Sequence, residues 1–95
     1  MKRVDVLEKA TQCVCGDRQQ DYGNPEDSFA VIAKLWSAFL GVDISACEAA
    51  AMMALFKLGR IKTGHSKDDN WIDLAGYAAC GAEIQEAEAH DVQKV

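Results

Sequence analysis

Ninety-five residues allow one domain, and a formal net charge of -5 argues against generic nucleic-acid binding, which rests on neutralising phosphate with Lys and Arg. The chain is 49% hydrophobic, but much of that is alanine, which favours helix and adds little core volume; a homo-oligomer that completes its core between subunits is expected. MKRVDVLEK has no apolar run of signal-peptide length, and no segment nears the roughly eighteen apolar residues of a membrane span, so the expected location is cytoplasmic.

The pattern predicts a single all-α domain over 1–95, a bundle of about four helices with 1–3 and 90–95 frayed. The first helix is expected from about Val4 to Gln19, with Val4, Leu7, Thr11, Val14 and Cys15 near one face. Cys13 and Cys15 lack the C-x-x-C spacing of zinc ribbons, and Cys47 and Cys80 read as small buried hydrophobes. The stretch RQQDYGNPEDSF follows, residues 18–29. Pro25 suits the first position of a second helix, Asn24 its N-cap, and Glu26 and Asp27 complement the helix dipole. Phe29, Ile32, Ala33, Trp36, Phe39 and Leu40 form its apolar stripe, and Gly41 ends it.

The third helix opens on a capping box, Ser45 to Glu48, and runs through Met52, Met53, Leu55, Phe56 and Leu58 to about Lys62, with Gly64 stopping it. The fourth has a weaker box, Ser66 to Asp69, and runs to about Ala89. Its middle is built of Ala75, Gly76, Ala78, Ala79, Gly81 and Ala82. Each interior glycine costs about 1 kcal/mol relative to alanine. That cost is offset where another backbone comes close, from the same chain or from a second subunit, and an oligomer interface is expected to include this face. Trp36 and Trp71 read as core or interface anchors. His65, in a turn, and His90, near the end, have no second ligand to make a metal site.

Two polar clusters stand out. Asp69, Asp73 and Tyr77 are four apart, and Asn70 precedes Asp73 by three, so they share one helix surface. Lys57 and Arg60 share a face of the third helix. A carboxylate on so apolar a helix needs a partner, because desolvation disfavours its charge. The simplest arrangement is an ion pair of Lys57 or Arg60 with Asp73 or Asp69 across antiparallel helices. The alternative adds Arg18, Asp21 and Tyr22 and makes a ligand site. Gly23 permits the turn that would aim those residues. Arg18, Lys57 and Arg60 would meet phosphate, Arg in bidentate fashion. Asp21, Asn70 and Asp73 would orient sugar, base or a Mg²⁺ ion, and Tyr22 or Tyr77 would stack or hydrogen-bond. Pairing of Arg18 and Asp21 with Asp73 and Arg60 merely to pin the loop is the competing possibility.

The run R-x-x-D-Y-G-x-P-x-x-x-F, then K-x-x-R, then D-N-x-x-D-x-x-G-Y-A, spread from Arg18 to about Glu83, resembles a family of small phage and prophage proteins. That family is distantly similar to MazG-like all-α nucleotide pyrophosphohydrolases. The resemblance implies an oligomeric, MazG-like helical bundle that binds a nucleotide or related phosphorylated small molecule, for nucleotide-pool chemistry or for capture of a host defence nucleotide signal. An enzyme of this kind would be a Mg²⁺-dependent triphosphate pyrophosphohydrolase with Glu48, Asp69 and Asp73 as metal ligands. The chain departs from that pattern at Ser45 and Ala51, where an acidic partner for Glu48 would stand. A third class is a protein-binding phage inhibitor of a host factor.

Overall fold

Capping chemistry sets where the helices begin. The computed structural model describes residues 1–17, 23–64 and 67–93. Helix α1 spans Arg3–Thr11 and passes into a π-helical turn, Gln12–Asp17; α2 spans Pro25–Leu40, α3 Ala46–Lys62 and α4 Asp68–Gln93. At α1 the Lys2 N–H donates to Asp5 Oδ2 at 3.0 Å. At α2, Asn24 stands at the N-cap position as expected, but its side chain makes no capping hydrogen bond; its carbonyl accepts the first bonds of the helix, from the N–H groups of Asp27 (3.1 Å) and Ser28 (3.2 Å). The box at α3 is reciprocal: Glu48 N–H donates to Ser45 Oγ at 3.0 Å and Ser45 N–H to Glu48 Oε1 at 2.9 Å. Among the described residues there is no strand, and no helix is long and apolar enough to cross a membrane.

The first helix departs from expectation. Its α-helical part stops at Thr11, whose hydroxyl donates back to Leu7 O at 2.8 Å, a contact that competes with regular helix geometry. The chain then widens into the π turn, which no periodicity in the sequence announces. The inward stripe is Val6, Ala10 and Val14, four apart; Val4 and Leu7 are exposed, as is Cys15. At the other end of the chain α4 continues to Gln93, beyond the stop expected near Ala89.

Gly41 ends α2 as expected. It is left-handed (φ 71°), and its N–H donates to Ser37 O at 2.8 Å. Ser37 also fastens the connection to α3: its Oγ donates to Ala33 O at 2.7 Å and accepts from Ile44 N–H at 2.8 Å. Only part of the predicted α2 stripe is covered. Phe29 and Ala33 are buried and Ile32 and Trp36 pack beside them, but Phe39 is 87% exposed and Leu40 is exposed too. The last turn of α2 finds no partner helix among the described residues.

The core joins α2 to the antiparallel pair α3 and α4. It contains Phe29, Ala33, Ala49, Ala50, Cys80 and Ile84. Of the described residues only Ile84 is a large side chain buried completely. The close approach that the α4 glycines demanded comes from this same chain. A Cβ placed on Gly76 would lie 3.0 Å from Val14 Cγ1, and one on Gly81 would lie 3.6 Å from Ala50 Cβ. The Cys47 thiol donates to Gly81 O across the same contact, at 3.7 Å. Both glycines therefore face neighbours within the chain, Gly76 tightly and Gly81 at ordinary van der Waals distance, while Ala78, Ala79 and Ala82 remain exposed.

The two glycines should respond differently to substitution. Gly76→Leu should overpack Val14 and cost about 1–3 kcal/mol. Gly81→Ala meets only ordinary van der Waals contact and should raise stability by about 0.5–1 kcal/mol through helix propensity. Urea denaturation followed by circular dichroism checks both.

Candidate functional site

The register of α3 against α4 decides which polar groups meet. With Cys47 and Ala50 opposite Gly81, the antiparallel pair brings Lys57 opposite Asp73. The Lys57 Nζ lies 2.9 Å from Asp73 Oδ2, with side chains 15% and 36% exposed. This is the cross-helix ion pair the sequence suggested, between one of the two cations and one of the two carboxylates proposed for it. Arg60 takes no part. Its side chain is exposed, and among the described residues no carboxylate pairs with it. Its guanidinium carbon instead stands 5.8 Å from the centroid of the Phe56 ring, and Lys57 Nζ stands 5.8 Å from the same ring. Phe56 is itself about half exposed. The result is an open aromatic ring approached by two cations, one neutralised by Asp73 and one not.

Asp69 sits one turn before Asp73 but does not join Lys57. Both aspartates line a cleft of about 360 Å³ between α4 and the junction of α1 with the π turn, where Lys9, Gln12 and Cys13 form the opposite wall. Asp73 thus belongs to both the cleft and the ion pair. Sequence reasoning missed Lys9, Gln12 and Cys13. Lys9 and Cys13 are one turn apart, which was visible, but the face they occupy follows from Ala10 and Val14 turning toward α4, and that depended on the π turn.

The remaining candidates are distributed unevenly. Asn70 is buried, 4% exposed, at the start of α4. Tyr77 is half-buried and packs edge-on against Phe29, ring centroids 6.1 Å apart at 88°, so its ring serves the core. Trp36 packs on the core as expected, but Trp71 is 51% exposed and lines an apolar groove of about 630 Å³ between α1 and α4 with Val6, Leu7 and Leu74. Arg18, Asp21 and Tyr22 lie outside the described residues, as do His65 and Ser66. Next to Tyr22 in sequence, Gly23 has the left-handed conformation expected of it (φ 79°). Glu26, read from sequence only as a dipole partner, holds a buried Oε2 that accepts no hydrogen bond from the described residues.

The acidic set Glu48, Asp69 and Asp73 does not fit a Mg²⁺ ion. Glu48 is engaged in its capping box at the start of α3, the end that lies against Gly81, and Gly81 is about 12 Å along the helix axis from Asp73. Asp73 already holds the Lys57 ammonium. Among the described residues no three His, Cys, Asp or Glu side chains converge on a point that could hold a metal.

A half-buried pair should be worth more than an exposed one, whose typical value is about 0.2–1 kcal/mol. A double-mutant cycle of Lys57→Met and Asp73→Asn, read by chemical denaturation, should give a coupling of about 1–2 kcal/mol. Zero coupling would mean that the two groups are held together by the packing around them.

Residues 5–85 match a family described as a domain of unknown function, DUF6378. The chain is similar to the Gene 55 protein of Mycobacterium phage D29, at 40% identity over 82 residues, covering 85% of this chain and 54% of that protein. It is also similar to the Gene 55 protein of Mycobacterium phage L5, at 34% identity over 83 residues, covering 86% and 53%. The chain spans about half the length of these curated relatives. No solved structure matches it. With a match running from Asp5 in α1 to Gln85 in α4, taking in part or all of every helix, the chain belongs to the DUF6378 family.

Proposed function

We propose that the chain binds a nucleotide or related phosphorylated small molecule where α3 and α4 carry Phe56, Lys57, Arg60 and Asp73. The carrying observation is Arg60, exposed, free of a carboxylate among the described residues and held 5.8 Å from the open Phe56 ring. A guanidinium presents five N–H donors in a planar fork suited to phosphate. Stacked on a ring, it is partly ordered before a ligand arrives, which lowers the entropy cost of binding. Lys57 adds a second cation, partly committed to Asp73. Phe56 offers a face on which a base could stack. Asn70 and Asp73 would orient sugar or base, and Arg18, Asp21 and Tyr22 would join from the loop. Tyr77 would contribute its polar end only, since its ring is engaged with Phe29. In a phage such binding would serve nucleotide-pool chemistry or the capture of a host defence nucleotide signal.

The competing Mg²⁺-dependent, MazG-like pyrophosphohydrolase is less well supported. It requires Glu48 beside Asp69 and Asp73, and it requires Asp73 to release Lys57 for a metal.

A thermal-shift screen of the parent and of Arg60→Ala tests this reading, using nucleoside triphosphates, cyclic oligonucleotides and ADP-ribose derivatives with and without Mg²⁺. One of these classes should raise the parent Tm and be recovered intact. Arg60→Ala should weaken it tenfold or more, a loss of about 1.4 kcal/mol or greater. Arg60→Lys should restore little, because it keeps the charge and loses the fork. A parent Tm that no ligand moves would defeat the proposal, and a triphosphate consumed only with Mg²⁺ would transfer it to the hydrolase.

A further inference from the structure

The surface of this chain is larger than that of a typical folded monomer of its mass. A folded protein of 10.3 kDa is expected to expose about 5,400 Å², whereas this one exposes 6906 Å². Its radius of gyration is 14.2 Å, against about 12.4 Å for a typical domain of this length, and it extends 44 × 27 × 23 Å. The excess of about 1,500 Å² is nearly twice the ~800 Å² that one partner gives to a standard interface.

Many large apolar side chains are exposed, and two helices carry an ordered share of them. On α2 and just beyond its end, Val31, Leu35, Phe39 and Val42 are all more than half exposed, at successive spacings of four, four and three residues, so they form one stripe. On α3, Met52 and Leu55, three residues apart, are exposed, and Leu55 lies across the helix from the Ala49 and Ala50 contacts of the core. Lys34 is the only charged residue between Val31 and Val42, and none falls between Ala49 and Phe56. Charge depletion of this kind marks the centre of an interface.

We propose that these outer faces of α2 and α3 are the interface between copies of this chain. A second copy fits better than an occasional partner. Surfaces that must also stand free in water are about as polar as the rest of a protein, whereas permanent homodimer interfaces are more apolar. A two-fold contact also needs no complementary charge, because the same stripe meets itself. The other apolar surface, the groove at Trp71, has Arg3 and Asp68 among its lining residues and lies on α1 and α4. The interface stands whether or not the chain binds nucleotides. Phe56 follows directly on Leu55, so the partner copy would come close to the ring that Lys57 and Arg60 approach.

Light scattering coupled to gel filtration, on the full chain without ligand at tens of micromolar, tests the interface. The parent should run at a multiple of 10.3 kDa. Leu35→Glu combined with Leu55→Glu should run as a helical monomer by circular dichroism, while Leu7→Glu combined with Trp71→Glu should keep the parent mass. If the first variant fails to fold, Leu35→Ala decides: at an interface it weakens association tenfold or more and makes Tm more dependent on concentration. A monomeric parent would overturn the proposal. So would an oligomer that persists in the α2–α3 variant or with Leu35→Ala unchanged in affinity, or one that dissociates only when the groove is charged.

Discussion

The contact between Ala50 and Gly81 is the one on which the rest of the molecule depends. Where side chains are this small, α3 and α4 lie close, and the Cys47 thiol reaches the Gly81 carbonyl. This contact marks the register of the antiparallel pair at one end, and even a Cβ on Gly81 would meet Ala50 Cβ at ordinary van der Waals distance, 3.6 Å. Fixing that register toward one end of the pair fixes it further along, and so Lys57 arrives at Asp73 and Asp73 faces the cleft under α1. The polar arrangement is a consequence of the apolar one.

Much of this was legible beforehand. The capping box at Ser45, Pro25 at a helix start and the left-handed glycines at 23 and 41 are local chemistry, and local chemistry is read directly from neighbouring residues. The pairing of Lys57 with Asp73 was also foreseeable, because two isolated charges on apolar helices each needed a partner. What could not be read depended on distant geometry. The exposure of Phe39 and Leu40 follows from where α2 runs past its support, which no spacing within α2 encodes. Glu48 was offered as a metal ligand by the resemblance to MazG-like hydrolases, and a motif along the chain does not show that the antiparallel arrangement carries it to the far end of the pair. Lys9, Gln12 and Cys13 entered the cleft through a turn of unusual pitch. The chemistry proposed for Arg18, Asp21 and Tyr22 rests on their sequence pattern.

Alanine-rich helices impose a trade. Ala33, Ala49 and Ala50 let helices come near one another but fill little volume, so the bulk of Leu35, Phe39, Met52 and Leu55 is left outside. A larger interior would have required wider helix spacing, and wider spacing would have separated Lys57 from Asp73. In this design a tight polar contact and an apolar exterior have the same origin.

The π turn at Gln12–Asp17 bears on how such a chain can change length. A hydrogen bond from i to i+5 takes up one more residue per turn than the α-helix does. Segments of this kind therefore hold one residue in excess over a regular helix. Deleting it would return the segment to an ordinary pitch, but Val14 would rotate relative to Ala10 and leave its place over Gly76, where an added Cβ would meet Val14 Cγ1 at 3.0 Å. A short gap here would act on packing at a distance, while the same gap in the Gly41–Ser45 connection would act first on the Ser37 hydrogen bonds beside it. Insertions and deletions among related chains should accordingly be rare between Gln12 and Asp17.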